Sequence, residues 1–272
     1  MAIVDLAVMV SSTILFFLVD FYPMNKNENE KIGRVPVALI TGGTSGIGLA
    51  TATLFAEKGY HVAICARNEN RLNSAVEKIS QASQGRGNVI GLQKDMSDPQ
   101  AAIALHDTVL QRMGSIDVLV NNAAATPQGT FESMAAETFE TMVNTNIRSV
   151  FYLTQSVWRT MTKQGRGVVV NISSLAAVDP FPGFSLYGSS KAWMDILTHV
   201  LAAEGDDAGI RVYSIRPGAV ETPMLRRLFP DFPADQCVQP TEVADTIWRC
   251  VNEPEQLETG KPHHITNQKD QS

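Results

Sequence analysis

Only three cysteines, Cys65, Cys237 and Cys250, occur in the 272 residues. They are too few and too scattered for a disulfide framework, and none stands at metal-ligand spacing. A reducing compartment suits them, and no metal site is expected. Basic residues are the minority: 22 Lys and Arg against 28 Asp and Glu give a net charge of -6. A chain that gripped nucleic acid by its phosphates would carry the opposite excess, so no nucleic-acid partner is expected. Internal repeats are absent, and no linker-like stretch follows Arg34. With 44% hydrophobic and 18% charged residues, a sizeable core can be buried, which excludes wholesale disorder and fibrous designs.

Residues 1–22 are strongly apolar and a polar run, NKNENEK, follows at 25–31. Asp5 and Asp20 leave an uncharged run of only 14 residues, Leu6–Val19. A membrane span wants roughly 17–25. A secretory signal would need a basic n-region and a small-residue cleavage site, and neither is there. Three readings stay open: translation starting at Met24, a weak N-terminal membrane anchor, or an extra helix packed on the domain. The expected organisation is an extension and linker over 1–34 and one domain over 35–272. A cytoplasmic protein is expected, with membrane association only through that extension.

From Val35 onward apolar runs of strand length alternate with helical patterns. The runs are Val35–Thr41, Tyr60–Ala66, Asn88–Gln93, Ile116–Asn121, Gly167–Ser173 and Ile210–Ile215, with a final edge strand at His263–Thr266. Helices are expected over Gly46–Lys58, Glu69–Ser83, a segment capped by Ser97 or Asp98 with Pro99 at its first position, Phe139–Lys163, Leu186–Ala203 and Thr241–Asn252. Short buried strands separated by helices mean βαβ units and a parallel sheet covered on both faces. The fold class is α/β, a doubly wound Rossmann-type parallel sheet in a single domain.

The first strand runs into Thr41-Gly42-Gly43-Thr44-Ser45-Gly46-Ile47-Gly48. Glycine allows a tight turn and a close backbone approach to a diphosphate, and the helix that follows offers free N–H groups and its positive dipole end. The spacing is Gly-x3-Gly-x-Gly. Further along stand Asn121-Asn122-Ala123-Ala124, Asn146 within NTNIRSVF, Ser174 within NISS, Tyr187 and Lys191 as Tyr-x3-Lys, and Pro217-Gly218 with Thr222 four residues on. In this order the motifs resemble the short-chain dehydrogenase/reductase family over about residues 35–254, and its 3-oxoacyl-carrier-protein reductases in particular. Ala124 departs from the family's glycine.

The resemblance implies hydride transfer between a nicotinamide cofactor and a carbonyl or secondary alcohol, with a 3-oxoacyl thioester as one candidate substrate. It implies Tyr187 as general acid/base, Ser174 holding the substrate oxygen, and Asn146 interrupting its helix locally and holding a water that links Lys191 to solvent. Gly42, Thr44, Ser45, Gly46, Ile47 and Gly48 would cradle the diphosphate. Asp95 and Met96 would lie at the adenine, although Asp95 has a local alternative as a turn or cap residue. Asn121 would back the fourth strand against the turn, Ala123 would lie along the cofactor with Pro217, and Thr222 and the backbone of Val220 would hold the carboxamide. Tyr187 and Lys191, four apart on one helix, point the same way. A cation about 4 Å from the phenol is worth roughly 4 kcal/mol at an effective dielectric near 20, so Lys191 is expected to lower the Tyr187 pKa by up to about 3 units from its ordinary value near 10.

The second strand ends Cys65-Ala66-Arg67-Asn68. NAD-preferring relatives carry Asp at the position of Ala66. Arg67 offers a planar guanidinium to a 2′-phosphate, and Ser45 could add a hydrogen bond. NADP(H) is the expected cofactor and NAD(H) the alternative. Residues 219–239 read as an apolar substrate lid carrying Met224, Leu225, Leu228, Phe229 and Phe232. Arg226-Arg227 reads as a solvated pair, or as an attraction for an anionic acyl carrier. The Gly-Gly segment through which those reductases form tetramers is missing after Thr259-Gly260, so a homodimer and a homotetramer both stay open. The rival function is a non-catalytic dinucleotide-binding redox sensor; Asn146, Ser174, Tyr187 and Lys191 favour the enzyme, because a sensor needs no proton relay.

Overall fold

The structure, a computed structural model, describes residues 34–267. The three readings of the N-terminal segment fall on residues outside that range.

Seven strands form one parallel sheet: β1 (Val37–Thr41), β2 (His61–Ala66), β3 (Val89–Gln93), β4 (Val118–Asn121), β5 (Gly167–Ile172), β6 (Ile210–Pro217) and β7 (Pro262–Ile265). Their order is β3-β2-β1-β4-β5-β6-β7. β1, β4 and β5 are buried along their whole length, as strands covered on both faces must be. Alternation divides their side chains between two cores. Ile40, Ile64 and Val120 pack on one face with Phe55 and Ile247. Leu39, Cys65 and Leu119 pack on the other with Leu105, Leu153 and Val157. The order reverses between β1 and β4, and a doubly wound sheet opens its ligand crevice at such a point, beyond the carboxyl ends of the strands.

The helices are α1 (Gly46–Glu57), α2 (Glu69–Ser83), α3 (Pro99–Met113), α4 (Ala136–Met142), α5 (Ser149–Gln164), α6 (Ser185–Gly205), α7 (Pro223–Leu228) and α8 (Pro240–Asn252). Asp98, rather than Ser97, caps α3, its carboxylate accepting from Gln100 N at 2.9 Å. Two corrections follow. The helix expected over Phe139–Lys163 begins earlier, at Ala136, and the interruption implied at Asn146 is a π-helical segment, Val143–Arg148, between α4 and α5. The lid contains a short helix, α7, whose proline occupies the first turn behind an N-cap from Thr222, the hydroxyl accepting from Leu225 N at 3.2 Å. Among the described residues no helix is long and apolar enough to cross a membrane.

Candidate active site

One cavity of about 770 Å³ runs along the carboxyl ends of the strands, from the end of β2 to the lid. At its centre is the turn between β1 and α1. Gly42 has φ +67°, and a β-carbon there would stand 2.9 Å from Asn122 Nδ2. A β-carbon on Gly48 would lie 2.4 Å from the Gly42 carbonyl, so that glycine lets helix and turn touch. No side chain caps α1 and no acid lies in its first turn. Its N-terminus therefore opens on the cavity with backbone donors and dipole unanswered, which fits an anionic diphosphate. Thr44, Ser45, Gly46 and Ile47 border the space, but Gly48 does not.

Asn121 does not border the cavity either. Its amide donates to Thr154 Oγ1 at 3.0 Å and to Asn171 Oδ1 at 2.8 Å inside the core. The residue that ties β4 to the turn is Asn122, whose Nδ2 donates to the carbonyls of Thr41 at 2.8 Å and Gly42 at 3.2 Å. Successive strand residues face opposite ways, so the expected role belongs one position on. Asp95 has the turn role, and its place on the cavity leaves the adenine role open to it. It borders the cavity, and its Oδ1 accepts from the Ser97 N–H at 2.9 Å and hydroxyl at 2.8 Å. Met96, Ala123, Pro217 and Val220 border the cavity as expected. Thr222 does too, with its hydroxyl donating to Val220 O at 3.1 Å.

At the β2 end Arg67 is joined by two cations the sequence reading missed, Arg71 in the first turn of α2 and Lys94 just after β3. None of the three forms an ion pair among the described residues. A sequence signal for Arg71 existed: the Asn68 cap, accepting from Arg71 N at 2.9 Å, places that residue on the first turn.

Beyond the turn, Ser174 at the end of β5 and Tyr187 and Lys191 on α6 come together. The Ser174 hydroxyl beside the Tyr187 phenol favours the ionised form, yet desolvation outweighs it and pushes the phenol above its ordinary value. Lys191 is 2% exposed. Its Nζ donates to Ile172 O at 2.6 Å and stands 5.6 Å from the centre of the Tyr187 ring. Burial lowers its pKa to about 8, opposed by Asp195 one turn along α6. The expected direction for Tyr187 is thus reversed. The ammonium is turned onto the strand carbonyl, and desolvation of the phenolate dominates.

Asn146 is wholly buried in the π-helical segment and lies off the cavity. Its Oδ1 accepts from Ala125 N, and its Nδ2 donates to Ala125 O and Ser190 Oγ. Its side-chain amide is therefore spent on protein groups, one of them on the residue preceding Lys191.

The lid wall of the cavity is apolar: Leu225, Leu228, Phe229 and Phe232, facing Phe181 and Phe184. Arg226 is not part of that wall and is not a solvated partner of Arg227. Its Nε donates to Glu221 Oε1 at 2.8 Å, Nη2 reaches Glu221 Oε2, and Nη1 donates to the carbonyls of Pro230 and Phe232. It fastens the lid to itself. His263 Nε2 lies 2.9 Å from the Glu258 carbonyl and His264 Nε2 is 3.4 Å from Arg216 Nη1.

The profile of the family described as short chain dehydrogenase matches residues 36–232. The chain is 34% identical to the 3-oxoacyl-(acyl-carrier-protein) reductase FabG of Thermotoga maritima, covering 83% of this chain and 94% of that one. Among solved structures it resembles the 3-ketoacyl-(acyl-carrier-protein) reductase of Brucella melitensis complexed with NADH, with TM-score 0.76, 26% identity, and 86% and 97% of the two chains covered. It also resembles a variant of the actinorhodin polyketide ketoreductase with NADPH, with TM-score 0.79, 30% identity, and 86% and 96% covered. A seven-stranded parallel sheet, a glycine turn at its switch point and this match over most of the chain have one explanation: the protein belongs to the short-chain dehydrogenase/reductase family and is an NAD(P)-dependent oxidoreductase.

Proposed function

We propose that the protein reduces a carbonyl to a secondary alcohol with NADPH, Tyr187 giving the proton. The observation that carries this reading is the phenol itself: half-buried, pushed above its ordinary pKa, and beside the Ser174 hydroxyl in the cavity that also holds the glycine turn. A protonated phenol is a donor, the form that reduction needs. When bound, the nicotinamide supplies the hydride. Ser174 donates a hydrogen bond to the substrate oxygen and fixes it beside Tyr187. Lys191, cationic below about pH 8, lies close enough to stabilise the phenolate that proton transfer leaves behind. Asn146 positions this pair through Ser190.

Gly42, Thr44, Ser45, Gly46 and Ile47 would hold the diphosphate, with Asp95 and Met96 at the adenine and Ala123, Pro217, Val220 and Thr222 toward the nicotinamide. Arg67, Arg71 and Lys94 would receive the 2′-phosphate; three cations without acid partners among the described residues support NADP(H) over NAD(H). The name of the Thermotoga relative puts a 3-oxoacyl thioester among the carbonyl compounds to be tested. We also propose a cytoplasmic homo-oligomer. Three unpaired cysteines fit a reducing compartment, and Phe151 and Tyr152 on α5 and Ile196 and Val200 on α6 leave apolar surface exposed.

The test is consumption of NADPH and NADH, followed by nicotinamide absorbance, across a panel of neutral ketones, oxo acids and acetoacetyl-CoA. Turnover of a carbonyl with NADPH ahead of NADH is expected. Tight dinucleotide binding with no turnover of any carbonyl would instead establish the redox-sensor reading.

A further inference from the structure

Resting on the carbonyl-reductase reading, we infer that the substrate is an uncharged aryl ketone, seated against Phe184 and Phe229, and that Asp179 at the cavity wall excludes anionic carbonyl compounds.

The cavity is electrically lopsided. Its β2 end carries Arg67, Arg71 and Lys94. Past Tyr187 and Lys191, the one ionised side chain bordering the substrate side is Asp179, which is exposed and has no ion-pair partner among the described residues. The lid's own cation, Arg226, is committed to Glu221 and two carbonyls and stays off the cavity wall, as does Arg227. An anion bound here would leave water for apolar walls without gaining a cation, which is costly. A thioester on coenzyme A or on an acidic carrier brings such charge to the mouth of the site.

The walls favour a flat ring. Phe184, 4% exposed, lies 5.7 Å from Phe229 with planes only 23° apart, and 4.6 Å from Phe181. The same ring stands 6.4 Å from Tyr187 at 74°. The aromatic wall therefore begins at the proton donor, and a carbonyl oxygen held by Tyr187 and Ser174 puts its substituent within reach of Phe184. Aromatic pairs add roughly 0.5–1.5 kcal/mol beyond area burial, or about two- to tenfold in affinity.

The experiment uses matched substrates with NADPH. Methyl 4-acetylbenzoate and 4-acetylbenzoate differ in one charge; acetophenone and cyclohexyl methyl ketone differ in aromaticity; acetoacetyl-CoA represents the thioesters. We expect kcat/KM for the ester to exceed that for the carboxylate by about tenfold or more. Asp179→Asn should narrow this gap about threefold at low salt and less at high salt, since the acid is exposed and screened. KM for acetophenone should fall below that for the cyclohexyl ketone, and Phe229→Leu should erase the difference. Equal or better use of 4-acetylbenzoate, or acetoacetyl-CoA outperforming every aryl ketone, would overturn this inference while leaving carbonyl reduction standing. A gap unmoved by Asp179→Asn at any salt would remove Asp179 from it. Failure of every carbonyl to turn over would sink the underlying reading instead.

Discussion

Asn146 and Ala125 grip each other through two hydrogen bonds, the amide oxygen accepting from Ala125 N at 2.7 Å and the amide nitrogen donating to Ala125 O at 2.9 Å. The second amide hydrogen goes to Ser190 Oγ at 3.0 Å, and that hydroxyl donates to Tyr187 O at 2.7 Å. One buried amide thus joins the loop after β4, the π-helical segment and the first turns of α6. Asn146→Ala would leave the half-buried Ala125 N–H and C=O without their partner, at a cost of at most about 1–3 kcal/mol each. We predict a lower Tm, read by calorimetry, and a kcat reduced at least tenfold. Asn146→Asp, which can accept from Ala125 N but cannot donate, should recover neither. Wild-type kcat in Asn146→Ala would show that the clasp does not position Tyr187.

The cations at the β2 end predict a divided effect. Arg67→Ala and Arg71→Ala should each lower kcat/KM for NADPH about 10- to 100-fold where the arginine binds the 2′-phosphate, since a hydrogen bond to a charged group is worth roughly 1.5–3 kcal/mol. Neither should lower kcat/KM for NADH by more than about twofold. The preference is measured as the ratio of the two constants in each variant. A wild type that uses NADH as well as NADPH contradicts the assignment, and a ratio unmoved by one substitution removes that residue from it.

Lys191 makes stability depend on pH. Its proton leaves near pH 8 in the fold, against 10.5 for an ordinary lysine. Between those values the unfolded chain holds more protons, so the residue's contribution to stability rises with pH, by something of the order of 3 kcal/mol across the window. Lys191→Met lacks the group and should lack the rise. Urea unfolding of both proteins at about pH 7 and about pH 10 gives the comparison, and the difference should move in the wild type's favour as pH rises. A difference that stays constant would mean the ammonium is not desolvated. Reduction, which uses the cation, should fall off above about pH 8.

Much of this was legible in the sequence because it rests on short-range rules. Apolar runs without polar alternation declared strands buried on both faces, and the glycine spacing declared a tight β-to-helix turn. Tyr187, Lys191 and Ser174 sit where the motifs put them. Whatever depended on facing or on partners was less legible. Asn121 and Asn122 differ only by which side of β4 each faces, and one position reverses that. The direction of the Tyr187 shift depends on how far Lys191 is drawn to Ile172 O, a contact across 19 residues. Arg226 looked like a free cation because its partners, Glu221 and the carbonyls of Pro230 and Phe232, are set by the fold of the lid. The π-helical segment carries no composition signal, since Val143–Arg148 reads as ordinary amphipathic helix; only the resemblance placed an interruption there, at Asn146.

The most direct test of Tyr187 as the proton donor separates binding from chemistry. Tyr187→Phe keeps the ring against Phe184 and Lys191 and removes only the hydroxyl. Dissociation constants for NADPH, by fluorescence titration, should stay within about threefold of wild type, while the single-turnover rate with a good ketone falls about 100- to 10,000-fold, the span of a lost general acid. A variant that still turns over within about tenfold of wild type would contradict the account.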